Sequence, residues 1–235
     1  MTQERMDRKF SALDAPRRNR FYYGKLLDVF HLEMEQDYGR LMRALDNRLT
    51  TGAGVLCGLG IAVDGDKLCI APGVALDRLG REIVLPHRVC VDPWGEAPCC
   101  PCCPPHAATP RERNAAHIVT IELCYRECLA DYGPALVDDC GDGAERCEAG
   151  TRVETWCLRL RDGRPDPRPP FSGCDALSGF DVRQDKAARI ASRRERLCEV
   201  LSGGCEMDPK QACIPLAVAE LRQGGTIGTV EVCAV

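Results

Sequence analysis

The residues with the most chemistry in them are thiols. Seventeen cysteines fall in 235 residues, close to the density that marks a disulfide or metal scaffold in a much shorter chain. An odd number leaves at least one unpaired. In Cys99-Cys100-Pro101-Cys102-Cys103-Pro104-Pro105-His106 two Cys-x-x-Cys pairs overlap, 99/102 and 100/103, with an imidazole three residues on. Thiolates at that spacing grip one Zn²⁺ on a tight turn, and a closed structural site needs four ligands in a tetrahedron. Adjacent cysteines cannot all point at one ion, so two of the four, as in Cys99 and Cys102, join His106 and a distant thiol such as Cys90. The alternative is a solvent-exposed Pro/Cys loop that holds nothing.

A second set is Cys128, Cys140 and Cys147, with Cys124 or Cys157 as a fourth ligand. The stretch 131–150 is rich in Asp and Gly and poor in apolar residues, so it reads as a loop that burial cannot shape and a crosslink would stabilise. Three thiols cannot pair off completely, whereas a tetrahedral ion accepts three and a fourth. The first residues, Met1 to Phe10, hold no apolar stretch of about ten residues and no small-residue cleavage site, so synthesis and folding are expected in the cytoplasm, where thiols stay reduced. The expected crosslink is therefore structural zinc, and a disulfide replaces it if the protein matures outside the cell. Cys57, Cys69, Cys198, Cys213 and Cys233 sit at apolar-patterned positions and are expected in the core.

Catalytic patterns are missing. The four histidines (His31, His87, His106, His117) carry no family signature beside a cysteine, and neither His-Glu-x-x-His nor Gly-x-Ser-x-Gly occurs. Redox use of Cys99 and Cys102 would need a following helix, which Pro104 and Pro105 disfavour. Gly52 to Gly60 is no phosphate loop, because it lacks Lys-Ser or Lys-Thr and follows a helix. Glu33 and Glu35 read as a solvated helix face. No enzyme is expected; a zinc-dependent hydrolase is the alternative with chemistry, and a disulfide-stapled adhesion or glycan-binding module the one without.

The elements that position these residues follow from periodicity. From Asp28, a good N-cap, apolar residues at Phe30, Met34, Tyr38, Leu41, Leu45 and Leu49 predict an amphipathic helix that stops at Thr50-Thr51-Gly52. Short β-prone runs follow at 59–63, 68–71, 74–77, 82–85 and 88–91, spaced too tightly for anything but antiparallel pairing. Six prolines make 93–114 a linker. Strands are predicted at 116–125 and 152–160, a second helix at 184–201, and a closing hairpin from 214–221 and 226–232 around Gly224-Gly225. The fold class is α+β: a long N-terminal helix, an antiparallel hairpin-rich β unit, Cys-rich loops, a second helix and a C-terminal β-hairpin. The expected division is a docking arm 1–27, a helix-plus-hairpin unit 28–92, a Pro/Cys-rich linker 93–115 and a second α+β unit 116–235.

Bulk composition excludes more than it names. A net charge of −4 with 31 basic and 35 acidic residues argues against nucleic acid as the main partner, and no run of 18 apolar residues exists to span a membrane as a helix.

One ordered set of motifs is specific. Arg20-Phe21-Tyr22-Tyr23-Gly24-Lys25-Leu26-Leu27 enters the helix, which carries Glu35-Gln36-Asp37-Tyr38 and Asn47-Arg48-Leu49. Gly52-Ala53-Gly54-Val55-Leu56-Cys57-Gly58-Leu59, Pro72-Gly73-Val74-Ala75-Leu76-Asp77, Gly80-Arg81-Glu82-Ile83-Val84 and Pro86 come next. This set resembles a family of bacterial proteins encoded beside baseplate, sheath and tube genes of phage-tail-like contractile injection systems. Ile121 to Cys128, Cys140, Cys147-Glu148, Arg152, Glu154 and Ile214-Pro215-Leu216-Ala217 extend the likeness more weakly. The resemblance implies a structural subunit at or near the baseplate, whose partners are the baseplate, sheath, tube or spike proteins and which leaves the cell, if at all, within the particle. The basic arm before Asp28, with Arg20, Phe21, Tyr22 and Tyr23, is expected to dock on a neighbouring subunit; the alternative is that its rings pack on the protein's own β unit.

Overall fold

The computed structural model describes residues 10, 15–95, 111–134, 147–165 and 212–233. The fold is α+β with a β-rich character: among the described residues, helix α1 (Val29–Thr50) precedes ten strands in antiparallel sheets. Asp28 caps α1 as the sequence predicts, its carboxylate accepting the His31 N–H at 3.0 Å. The predicted second helix at 184–201 and the cluster at 99–106 lie outside the described residues.

Residues 54–91 form one three-stranded meander bent at a corner into two sheets. Strands β1 (Gly54–Gly58), β4 (Gly73–Leu76) and β5 (Glu82–Leu85) make one sheet, and β2 (Ile61–Asp64), β3 (Lys67–Ile70) and β6 (Val89–Val91) the other. Pairing runs unbroken round the bend: Gly58 faces Gly73, the Leu59 N–H donates to the Pro72 carbonyl at 3.2 Å, the Ala71 N–H to the Gly60 carbonyl at 2.8 Å, and Ile61 faces Ile70. Gly58 is required at the corner, since its φ is +69° and a Cβ there would stand 2.1 Å from the Pro72 carbonyl oxygen. The sequence pattern misses β1, because its glycines read as a helix stop.

A third sheet has the order β10 (Thr226–Val232), β9 (Ile214–Arg222), β7 (His117–Pro134) and β8 (Cys147–Asp162). Strands β7 and β8 run past the predicted strands, turning both ends of the expected 131–150 loop into a two-stranded ribbon that stays in register to Pro134 opposite Cys147. Beyond Leu123, where pairing with β9 ends, the ribbon increasingly faces solvent, with Leu129 and Tyr132 exposed. One hydrophobic cluster joins all three sheets, with Leu68, Ile70, Ile83, Leu85, Ile121, Leu123, Leu158 and Ile214 almost wholly buried. Each such side chain contributes about 1.5–3 kcal/mol.

The helix departs from its predicted packing. Only Ala44 and Arg48 are buried, while Phe30 and Leu49, expected on the inward face, are exposed. At 100° per residue, the residues that meet the body (Ala44, Asn47, Arg48) lie about 100° around the helix from Met34, Tyr38 and Leu45. Periodicity shows which residues share a face but not what covers it. The contact is made through the β4–β5 turn. Gly80 has φ +81°, and a Cβ on it would come within 1.9 Å of the Ala44 carbonyl oxygen. Asn47 Nδ2 donates to the Gly80 carbonyl at 2.9 Å and to Glu82 Oε1 at 3.0 Å.

Candidate functional site

The segment leading into α1 is a strap with an apolar outer surface. Asn19 fixes it to the helix, its N–H donating to Glu35 Oε2 at 3.1 Å. The tip is a turn in which the Lys25 N–H donates to the Tyr22 carbonyl at 3.1 Å, with Gly24 at φ +82°. The Lys25 ammonium folds back to Asn19 Oδ1 and to the Arg20 carbonyl. This clamp turns the rings outward: Phe21 and Tyr22 are each 63% exposed and Tyr23 fully so, continuing through Leu26, Leu27, Val29, Phe30 and Leu32. The rings therefore do not pack on the protein's own β unit. Arg17, Arg18 and Arg20 are exposed beside them.

Behind the strap, charged groups fasten α1 to the sheets. Arg40 bonds Glu127 on β7 and approaches Glu154 on β8 at 3.4 Å. Glu127 also accepts from the Tyr125 hydroxyl at 2.8 Å and from Arg152 at 3.1 Å. Burial pushes the Glu127 carboxyl up, but the Tyr125 hydrogen bond and the Arg40 and Arg152 guanidiniums outweigh it and hold the group below the usual carboxylate range. Burial first, then the Glu127 charge, raises the Tyr125 phenol, which stays protonated. The Arg81 guanidinium stacks 4.3 Å from the Tyr125 ring centre and 5.4 Å from that of Phe10. Arg81 also grips buried Asp77, through Nε and Nη2 at 2.7 Å each; Asp77 Oδ1 accepts the Leu79 and Arg81 N–H groups at 2.9 Å. A fork of this kind sets a turn rather than opens a reaction. Asp77 and Arg81 were visible in the motif, but nothing in the sequence links Arg40 to Glu127, 87 residues away.

Three of the sulfurs expected at zinc, Cys90, Cys124 and Cys128, are in disulfides. Cys69 and Cys90, the latter expected as a distant zinc ligand, are joined to each other across β3 and β6, where they are register partners. Cys124 is joined to Cys213, and Cys128 is likewise disulfide-bonded; sulfurs so engaged are not thiolate ligands. For Cys69 and Cys90 strand register is the reason, since it brings two Cβ atoms side by side and cannot be read from spacing. Cys157 faces Cys124 on β8 but keeps its thiol, buried and donating to the Leu158 carbonyl at 3.5 Å. Cys147 and Cys57 are exposed thiols, which corrects the core placement of Cys57. Among the described residues no group of three or more His, Cys, Asp or Glu stands where it could hold a metal ion. Cys140, Cys99, Cys102 and His106 lie outside them. No helix among the described residues is long and apolar enough to cross a membrane.

Compared with protein-family models and with curated proteins, the chain finds no match.

Proposed function

We propose that this chain is a non-enzymatic structural subunit of a phage-tail-like contractile injection particle, placed at or near its baseplate and held there by contacts with other subunits. The observation that carries the reading is the strap, which the chain fixes in place while leaving Phe21 to Leu32 uncovered. A monomer rarely exposes a contiguous apolar patch larger than a few hundred Å² unless something docks there. The resemblance over residues 20–92 supplies the class of particle, and the strap lies inside it. Synthesis takes place in the cytoplasm, and the disulfides fit later residence of the particle outside the cell.

Mass spectrometry of purified, intact sheath-and-tube particles tests this. The chain is expected in fixed proportion to baseplate proteins, and its absence would refute the reading. The two disulfides favour one other role, a secreted adhesion module. That role predicts the chain free in the medium and binding immobilised glycans without any particle.

A further inference from the structure

We infer that Cys124, Cys157 and Cys213 form a thiol–disulfide exchange site, in which the Cys157 thiol takes Cys124 from Cys213. This goes beyond the reading above and does not depend on it.

Strand order sets three sulfurs in one row. In the third sheet β7 lies between β9 and β8. Cys124 on β7 is the register partner of Cys157 on β8. On its other side Leu123 pairs with Ile214, which brings Cys213 beside Cys124, and those two are bonded. Residues directly opposite in an antiparallel pair project from the same face of the sheet, with Cβ atoms about 4.5–5.5 Å apart. Leu123, Tyr125, Trp156 and Leu158, which flank the pair, belong to the core, so Cys124 and Cys157 lie on the sheet's other face. Such register suffices for a bond in this chain, since Cys69 and Cys90 are bonded as register partners. Three positions thus hold one disulfide and one thiol, with Cys124 in the middle.

Burial reserves the attack for Cys157. Cys124 is 4% and Cys157 1% exposed, so dissolved thiols do not reach the Cys124 sulfur in the folded chain, and the thiols of Cys57 and Cys147 face solvent instead. Cys157 gives up its proton and its Sγ attacks Cys124 Sγ. A Cys124–Cys157 bond forms, the Cys124–Cys213 bond breaks, and its electron pair leaves on Cys213 Sγ, which takes up the proton. One disulfide and one thiol stand on each side, so neither oxidant nor reductant is consumed. A row across adjacent strands puts the attacking and leaving sulfurs on opposite sides of Cys124, as this displacement requires. Cys213 is part-buried and suits the leaving sulfur, whose charge water helps to carry. The exchange also changes what the bond holds. Cys213 follows Ala212, whose carbonyl accepts the Arg78 N–H at 3.1 Å and which is buried with Phe10, Ala44 and Leu79. The Cys124–Cys213 bond therefore ties β7 to the seat of α1, whereas a Cys124–Cys157 bond lies within the β7–β8 hairpin and leaves the start of β9 without a covalent tie to β7.

Disulfide mapping of the full, disulfide-intact chain tests the inference. Iodoacetamide first blocks Cys57 and Cys147 in the native protein and is removed. The chain is then held at mildly alkaline pH without added thiol, in buffer and in urea up to the foot of its unfolding transition, and quenched with acid. Thiols are labelled with N-ethylmaleimide in denaturant at mildly acidic pH, where thiolates are scarce, and the peptides are read by mass spectrometry. Two links to Cys124 are expected, a major one to Cys213 with Cys157 labelled and a minor one to Cys157 with Cys213 labelled. The minor share is expected to rise about tenfold or more with urea, because freeing the start of β9 exposes surface. In Cys157→Ala the label on Cys213 is expected to vanish.

Absence of a Cys124–Cys157 peptide at every urea concentration overturns the inference, and the wild-type map decides this without any variant. Labelling of Cys213 as strong in Cys157→Ala as in wild type also overturns it, since another sulfur is then the nucleophile; fluorescence of buried Trp156, next to position 157, checks that the variant is folded. Neither result bears on whether the chain is found in particles, so the two readings stand or fall separately.

Discussion

Gly24 and Gly80 form a matched pair that separates the cost of a backbone conformation from the cost of a contact. Their φ angles are +82° and +81°, but an added Cβ at Gly24 would meet nothing within 4 Å, while at Gly80 it would stand 1.9 Å from the Ala44 carbonyl oxygen. Alanine in the left-handed region costs about 1–2 kcal/mol, and Gly24→Ala is expected to show that and no more. Gly80→Ala adds the overlap, about 1–3 kcal/mol as the turn and helix move apart, and about 1 kcal/mol for the Asn47 hydrogen bond to the Gly80 carbonyl. The total is about 3–6 kcal/mol. Urea unfolding reads both, because Trp94 and Trp156 are buried and their fluorescence reports the loss of the core. With a slope of about 2.5 kcal/mol per molar, the midpoint should fall by about 0.5 M for Gly24→Ala and between about 1 and 2.5 M for Gly80→Ala. If the two variants agree to within about 0.5 kcal/mol, the helix does not bear on the β4–β5 turn and the account of how α1 is held is wrong.

Three other expectations concern charge and sulfur. Glu127→Gln should destabilise the protein by about 2–3 kcal/mol at neutral pH, since it weakens hydrogen bonds from two guanidiniums. Because the Glu127 carboxyl lies below its unfolded value in the folded chain, its contribution is full above about pH 5 and vanishes as pH falls through the folded value. Wild type and variant should therefore converge in acid titrations of stability only once the pH has fallen below that depressed folded value. Cys124→Ala/Cys213→Ala opens a link across 89 residues and should cost about 4–5 kcal/mol, against about 3 kcal/mol for Cys69→Ala/Cys90→Ala across 21 residues. Denaturation with and without reductant checks the order, which would be wrong if the shorter link mattered more. Alkylation followed by peptide mass spectrometry should modify Cys57 and Cys147 in the native protein and Cys157 only after unfolding, and rapid native labelling of Cys157 would contradict its burial.

Local chemistry was legible in the sequence and partnership was not. Asp28 announced the start of α1, the turn signals announced most of the meander, and Gly224-Gly225 announced the closing hairpin, because each depends on a few neighbouring residues. The outward-facing strap was legible for a related reason: Phe21, Tyr22 and Tyr23 stand in a basic stretch without the period that buries a face. The failures are matters of register and docking. Nothing near Cys69 shows that Cys90 will lie opposite it, and the glycines of β1 resemble a helix stop until β4 is there to pair with them. The ribbon was read as a loop because Asp131, Gly133 and Gly150 weaken strand propensity, and cross-strand pairing overrides that weakness.

The bent meander also sets an order of events for the growing chain. Its partners are close in sequence, as Gly54 with Leu76 and Cys69 with Cys90, so closing them costs little chain entropy and proceeds early. The β7–β8 hairpin is local as well. Strand β9 is different: His117 must wait for Leu221, and Cys124 for Cys213. Synthesis therefore delivers a finished corner first, then a ribbon, and last the strand that closes the third sheet. In a chain with 17 cysteines that sequence matters, because Cys69 and Cys90 already stand opposite each other before the later thiols emerge, and so are the pair set to join once the protein meets an oxidising medium.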